Sequence, residues 1–128
     1  MSLRESLHVM IVDDMTTSRG LVTQALEELG VWNYQAEADG AAALRKLAAR
    51  PVHLVLSDYN MPGMDGLELL HALRANRSTQ RIGFILITGR PEKDILARGM
   101  QLGMNNYLPK PFTTAQMRAC IERVVGPL

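Results

Sequence analysis

Cysteine is nearly absent: Cys120 stands alone among 128 residues, which excludes an intrachain disulfide and any paired-cysteine metal spacing. A chain of this kind suits a reducing compartment, and a cytoplasmic location is expected. Neither charge sign dominates. Fourteen Lys and Arg against thirteen Asp and Glu leave a net charge of +1, so the bulk charge does not point to nucleic acid or another polyanion. Long hydrophobic runs are missing as well. The longest, such as 52–56 and 82–87, fall far short of the roughly 20 residues a membrane helix requires. The first six residues carry neither the basic nor the apolar region of a secretory signal. Linkers, low-complexity tracts and internal repeats are not found, so positions 1–128 are expected to form one domain. At this length folding buries roughly two thirds of the unfolded chain's surface, and a hydrophobic content of 47% supplies an ordinary core without metal or disulfide staples.

Five short apolar runs rich in branched residues alternate with five segments of helical period. The pattern predicts an α/β fold, a parallel sheet covered by helices on both faces. The predicted strands are Leu7 to Val12, Tyr34 to Ala38, His53 to Ser57, Ile82 to Ile87 and Asn105 to Leu108. The first helix carries an apolar stripe of Leu21, Val22, Ala25, Leu26 and Leu29 and ends at Gly30, a C-terminal cap. The second places Ala41, Leu44, Leu47 and Ala48 on one face; the third carries Leu67, Leu70 and Leu73. Pro91 suits the first position of the fourth helix, whose inner face is Ile95, Gly99 and Leu102. Thr113 with Gln116 forms a capping box for the last helix, with the stripe Met117, Cys120, Ile121 and Val124. On this reading Cys120 is a core thiol.

In an open parallel sheet the ligand site lies beyond the carboxyl ends of the strands. The residues at those ends are Asp13 and Asp14, Asp58, Thr88 and Lys110. Each has an ordinary explanation by itself. Asp13 and Asp14 suit a helix N-terminus, at about 0.3 to 1 kcal/mol each; Asp58 suits a turn, and Lys110 a solvated loop. Together they bring three carboxylates, a hydroxyl and an ammonium to one rim. Close carboxylates repel by ~4 kcal/mol per pair at an effective dielectric of about 20, so the cluster calls for positive charge. Lys110 supplies one cation. Hard oxygen ligands with an open coordination sphere suit Mg²⁺, which is typically held by one or two carboxylates plus a phosphate.

Four stretches, Ile11-Val12-Asp13-Asp14, Asp58-Tyr59-Asn60-Met61-Pro62-Gly63-Met64-Asp65-Gly66, Thr88-Gly89 and Tyr107 through Lys110-Pro111-Phe112, together resemble the receiver domains of bacterial two-component response regulators, the CheY-like family. The likeness runs over essentially the whole chain. It implies a flavodoxin-like sheet of strand order 2-1-3-4-5 with five helices. It further implies that Asp58 is the phosphoacceptor, taking a phosphoryl group from the phosphohistidine of a histidine kinase or a histidine phosphotransfer protein. Asp14, Asp58 and the Asn60 main-chain carbonyl would hold Mg²⁺, with Asp13 engaging it through a water. Thr88 and Lys110 would each contact a phosphoryl oxygen, and Tyr107 would turn inward behind Thr88 as a switch. The Lys110-Pro111 bond would be cis. Gly63 and Gly66 read as turn glycines beside the phosphoacceptor, and Arg90 occupies a position that tunes access to the phosphoryl group. Met104 departs from the small residue commoner there in the family. Met10, Met15, Met61 and Met64 read as loop and core packing, and His8, His53 and His71 share no metal-ligand spacing.

No further domain is seen after Pro127-Leu128, so a stand-alone, monomeric regulator is expected, one that binds neither nucleic acid nor membrane. Its output would pass to a separate protein, a flagellar motor switch component in a chemotaxis pathway; a phosphorelay shuttle or phosphate sink is the alternative. An aspartate-nucleophile phosphohydrolase also forms an acyl phosphate on Mg²⁺, but it needs a second Asp where Asn60 stands. A flavin or nucleotide binder needs Gly, Ser and Thr donors where Asp13-Asp14 would repel phosphate.

Overall fold

A computed structural model describes residues 2–128, so Met1 lies outside the described residues. In chain order the elements are α1 (Leu3–Ser6), β1 (Val9–Val12), α2 (Thr16–Glu28), β2 (Tyr34–Glu37), α3 (Gly40–Ala49), β3 (Leu54–Asp58), α4 (Gly66–Ala75), β4 (Gly83–Thr88), α5 (Lys93–Gln101), β5 (Asn106–Pro109) and α6 (Thr114–Val125). The five strands form one parallel sheet in the order β2-β1-β3-β4-β5. This is the expected order. There is one helix more than expected: α1 is a single turn held by a Ser2–Glu5 capping box, too short to show a helical period.

The alternation of β1 divides the core. Val9 and Ile11 face α2 and α6, where Val22, Leu26, Met117 and Ile121 are buried. Met10 and Val12 face the other way, onto Leu47, Leu67, Leu70 and Phe84. The central strands β1 and β3 are buried along their whole length, as strands covered on both faces must be. Edge strand β2 has no fully buried residue, in keeping with its more polar sequence, Tyr34-Gln35-Ala36-Glu37.

Four details of the apolar pattern are corrected. Leu21 is not on the inner stripe of α2: it is 57% exposed, and it lines a groove of about 580 Å³ shared with Phe112. The buried residues of α3 are Gly40, Ala43 and Leu47, whereas Ala48 is exposed; with a helix of small residues, a one-position rotation leaves the count of apolar residues unchanged. Pro91 lies outside α5, which starts at Lys93 after the N-cap Glu92. Met15 is 59% exposed, while Met10 and Met61 are core. Gly30, at φ +81°, ends α2 as expected, in a backbone conformation that favours glycine.

Cys120 is buried, and desolvation raises its thiol pKa to about 11, which fits a core thiol. Met104 is buried against Gly99: a Cβ on Gly99 would lie 2.8 Å from the Met104 sulfur. The missing side chain on α5 thus makes room for the larger residue before β5.

Candidate functional site

The parallel register delivers the strand ends to one rim. Asp58 closes β3 opposite Ile87, Thr88 closes β4 opposite Pro109, and Lys110 follows one residue later. The Lys110 N–H donates to the Thr88 carbonyl at 2.8 Å. The Lys110-Pro111 bond is cis, as expected. Asp13 and Asp14 leave β1 before α2 begins.

These residues meet. Asp13, Asp14 and Asp58 each present a carboxylate oxygen within 4.8 Å of the others. The Lys110 Nζ donates to Asp58 Oδ1 at 2.9 Å and stands 3.8 Å from Asp13 Oδ2. Asp13, Asp58 and Thr88 are buried, at 2%, 7% and 3% exposure. With three acids and one ammonium the cluster is short of positive charge. Burial, outweighing the opposing hydrogen bond and charge of Lys110, pushes the Asp58 carboxyl above its ordinary value of 3.8, helped by the charges of Asp13 and Asp14.

Asp14 Oδ1 carries the clearest sign of a missing partner. It is buried and has no hydrogen-bond donor among the described residues, where such an atom ordinarily finds one. Asp13 differs, since its Oδ1 accepts the Met15 N–H at 3.0 Å. An unpartnered oxygen inside a triad of hard oxygen donors fits a small divalent cation such as Mg²⁺. No other group of three His, Cys, Asp or Glu side chains with this geometry occurs among the described residues. At the opposite pole His53 Nδ1 accepts the His8 N–H at 3.0 Å, a local structural bond.

Asn60 and Thr88 line the same open pocket as Asp58 and Lys110, about 570 Å³ in volume. The Thr88 hydroxyl accepts the Arg90 N–H at 3.0 Å, so it is tied to the loop after β4. Tyr107 stands apart. It is 39% exposed on edge strand β5 and lines a separate groove with Cys120 and Arg123.

The α4 helix is seated directly against the phosphoacceptor candidate. Asp65 caps it by accepting the Glu68 N–H at 2.8 Å, and Glu68 returns the bond to the Asp65 N–H at 3.1 Å. This capping box starts the helix at Gly66. Gly63 is a turn glycine, at φ +77°, but Gly66 is not: a Cβ there would meet the Asp58 carbonyl oxygen at 2.5 Å. Its role is close approach.

Two residues with no motif of their own complete the site. Ser18 Oγ accepts a hydrogen bond from Lys110 Nζ at 2.9 Å, and an Arg19 Nη1 donates to the Asp13 carbonyl at 2.8 Å. Only their position in the first turn after Asp13-Asp14 hinted at them.

The response regulator receiver domain family matches residues 9–122. A probable chemotaxis protein CheY from Rhizobium etli is 44% identical over 128 residues, spanning 100% of this chain and 99% of that protein. Chemotaxis protein CheY-3 of Vibrio cholerae is 34% identical over 122 residues, 95% of this chain and 94% of the other. Among solved structures, Vibrio cholerae CheY4 has a TM-score of 0.85 at 28% identity over 92% of this chain and 98% of that one. The receiver domain of a sensor histidine kinase from Pseudomonas aeruginosa, described with a magnesium ion coordinated in its active-site cleft, has a TM-score of 0.85 at 27% identity over 94% and 98% of the two chains.

Proposed function

The chain belongs to the response regulator receiver family and is of the CheY chemotaxis type, and from that premise we propose that Asp58 accepts a phosphoryl group and thereby switches a partner-binding face. The observation that carries the proposal is the pairing of Asp58 with Lys110 beside the unpartnered Asp14 oxygen. The proposed unit is one receiver domain over residues 1–128, a regulator and not a turnover enzyme, working in the cytoplasm.

In the proposed reaction an Asp58 carboxylate oxygen attacks phosphorus of a phosphohistidine. The new O–P bond forms as the P–N bond breaks, and its electron pair returns to the donor imidazole. Charge spreads over the equatorial oxygens during transfer, and prepositioned donors stabilise it. Lys110 is already in place at Asp58; the Thr88 hydroxyl reaches the phosphoryl group after releasing the Arg90 N–H. Asp14, Asp58 and the Asn60 carbonyl would hold Mg²⁺, with Asp13 engaging it through a water, and the ion would supply further charge neutralisation.

Millimolar Mg²⁺ is expected to raise the melting temperature of the protein, since a bound cation stabilises only the folded state. Asp14→Ala removes the unpartnered oxygen and is expected to abolish most of that rise. A full metal-dependent shift in Asp14→Ala, read by calorimetry, removes Asp14 from the ligand set.

The output proposal follows from Thr88 and Tyr107. When Thr88 moves toward the phosphoryl group it vacates space that the Tyr107 ring enters, and the face of α5, β5 and α6 is remodelled. The phosphoryl contacts must outweigh a few kcal/mol of preference for the inactive arrangement. The similarity to chemotaxis proteins supports a flagellar motor switch component as the reader of that face. Pull-down from native cytosol with and without an acyl-phosphate mimic tests this. Enhanced capture of a motor component is expected, weakened in Tyr107→Ala while Asp58 phosphorylation persists. Capture of histidine phosphotransfer proteins alone would establish the shuttle or sink reading instead.

A further inference from the structure

We infer that Ser18 is a positioning residue that holds the Lys110 ammonium on Asp58 and away from Asp13; the inference rests on Asp58 being the phosphoacceptor. An ammonium has three donors and no preferred direction of its own. Lys110 directs one to Asp58 Oδ1 and one to Ser18 Oγ, both at 2.9 Å. Asp13 Oδ2, at 3.8 Å, lies outside hydrogen-bond range. The two close acceptors come from β3 and α2, so the ammonium is anchored between separate elements.

A serine in the first turn of a helix usually turns its hydroxyl onto nearby backbone. Thr23, one turn further along α2, does so by donating to the Gly20 carbonyl at 2.8 Å. Among the described residues the Ser18 hydroxyl makes no backbone bond; its partner is Lys110, 92 positions away. Nor does α2 depend on it as a cap, because the N-cap residue is Met15.

A neutral hydroxyl suits this task. It orients the ammonium without neutralising it, whereas a carboxylate at position 18 would draw Lys110 off Asp58. Without the hydroxyl, Asp13, the other carboxylate within 4 Å of the ammonium, competes with Asp58 for it. An ammonium that moved there would leave the phosphoryl path and occupy the carboxylate assigned to a water of the cation. Ser18 thus fixes in advance the donor that the transferring oxygens need.

The test compares Ser18→Val with Ser18→Thr, near-isosteres that lack and retain the hydroxyl, in the full chain. Initial rates of phosphorylation by acetyl phosphate are measured at saturating Mg²⁺, in the Lys110 and Lys110→Met backgrounds. Ser18→Val is expected to lower the rate about tenfold, the scale of one lost hydrogen bond to a charged group, and Ser18→Thr to restore it. In the Lys110→Met background Ser18→Val should change nothing further. An equal loss in both backgrounds would mark a structural role and overturn the inference, as would a wild-type rate in Ser18→Val. A second readout needs no phosphoryl chemistry: the ¹⁵N ammonium signal of Lys110 should be protected in the parent and in Ser18→Thr and lost in Ser18→Val. Its persistence in Ser18→Val overturns the inference. A parent protein that shows the protected signal yet takes up no phosphoryl group would instead refute the reading of Asp58.

Discussion

Asp58→Asn will take up no phosphoryl group from a phosphohistidine donor or from acetyl phosphate, and without metal it will melt higher than the parent. The first outcome follows because an amide is a poor nucleophile toward phosphorus. The second follows from the charge of the cluster. Burial raises the Asp58 carboxyl above 3.8, so over the interval between that value and the folded-state value the folded protein holds a proton that the unfolded chain has released. Stability from this group is therefore greatest below the unfolded value and falls as pH rises through the interval, leaving the full cost at neutral pH. Asn carries no such cost. The gap between the melting temperatures of Asp58→Asn and the parent should widen from about pH 4 upward, and Mg²⁺ should close it by stabilising the parent alone. A gap that stays constant with pH would show that Asp58 carries no burdened charge.

Gly66→Ala is expected to be nearly as damaging by a different route. Its Cβ would sit 2.5 Å from the Asp58 carbonyl oxygen, 2.9 Å from Leu86 Cδ1 and 3.1 Å from Tyr59 Cα. The leucine can rotate; the backbone cannot easily yield. The Asp58 carbonyl accepts the Ser57 hydroxyl at 2.9 Å, and the adjoining Tyr59 is tied to the Ile87 carbonyl and to the Gly66 N–H. Overpacking there should cost about 3 kcal/mol. Displacing the acceptor by about 1 Å should slow phosphorylation on the order of a hundredfold. Gly63→Ala is the contrast. No atom lies within 4 Å of its added Cβ, but φ is +77°, so it should cost ~1 to 2 kcal/mol and leave phosphorylation within about twofold, the effect of a local turn. Equal losses in both variants, by denaturant melts and acetyl-phosphate rates, would contradict the close-approach role of Gly66.

The residues at strand ends were the most legible part of this chain. A branched apolar run followed by an acid or a lysine marks its own strand and its own exit, so Asp13, Asp14, Asp58, Thr88 and Lys110 could be assigned to one rim before any contact was known. Alternation in β1 and unbroken burial in β3 follow from the same runs. Legibility fell where one residue's role depends on a distant one. Ser18 becomes informative only when the sheet brings Lys110 beside it, and a lone serine in a polar helix turn carries no periodic signal. Gly66 looks like any turn glycine until α4 is laid against Asp58. Leu21 fits a helical stripe by spacing, yet the groove beside Phe112 leaves it exposed. The single-turn α1 lies below the length at which periodicity exists.

The assignment of Asp58 as the phosphoacceptor is tested most directly by locating the phosphoryl group itself. The protein would be treated with acetyl phosphate and Mg²⁺, the acyl phosphate trapped by borohydride reduction, and the modified residue identified by peptide mass spectrometry. Reduction products at Asp58 alone are predicted. A trapped product at Asp13 or Asp14, or none at Asp58 in protein that binds Mg²⁺, would contradict it.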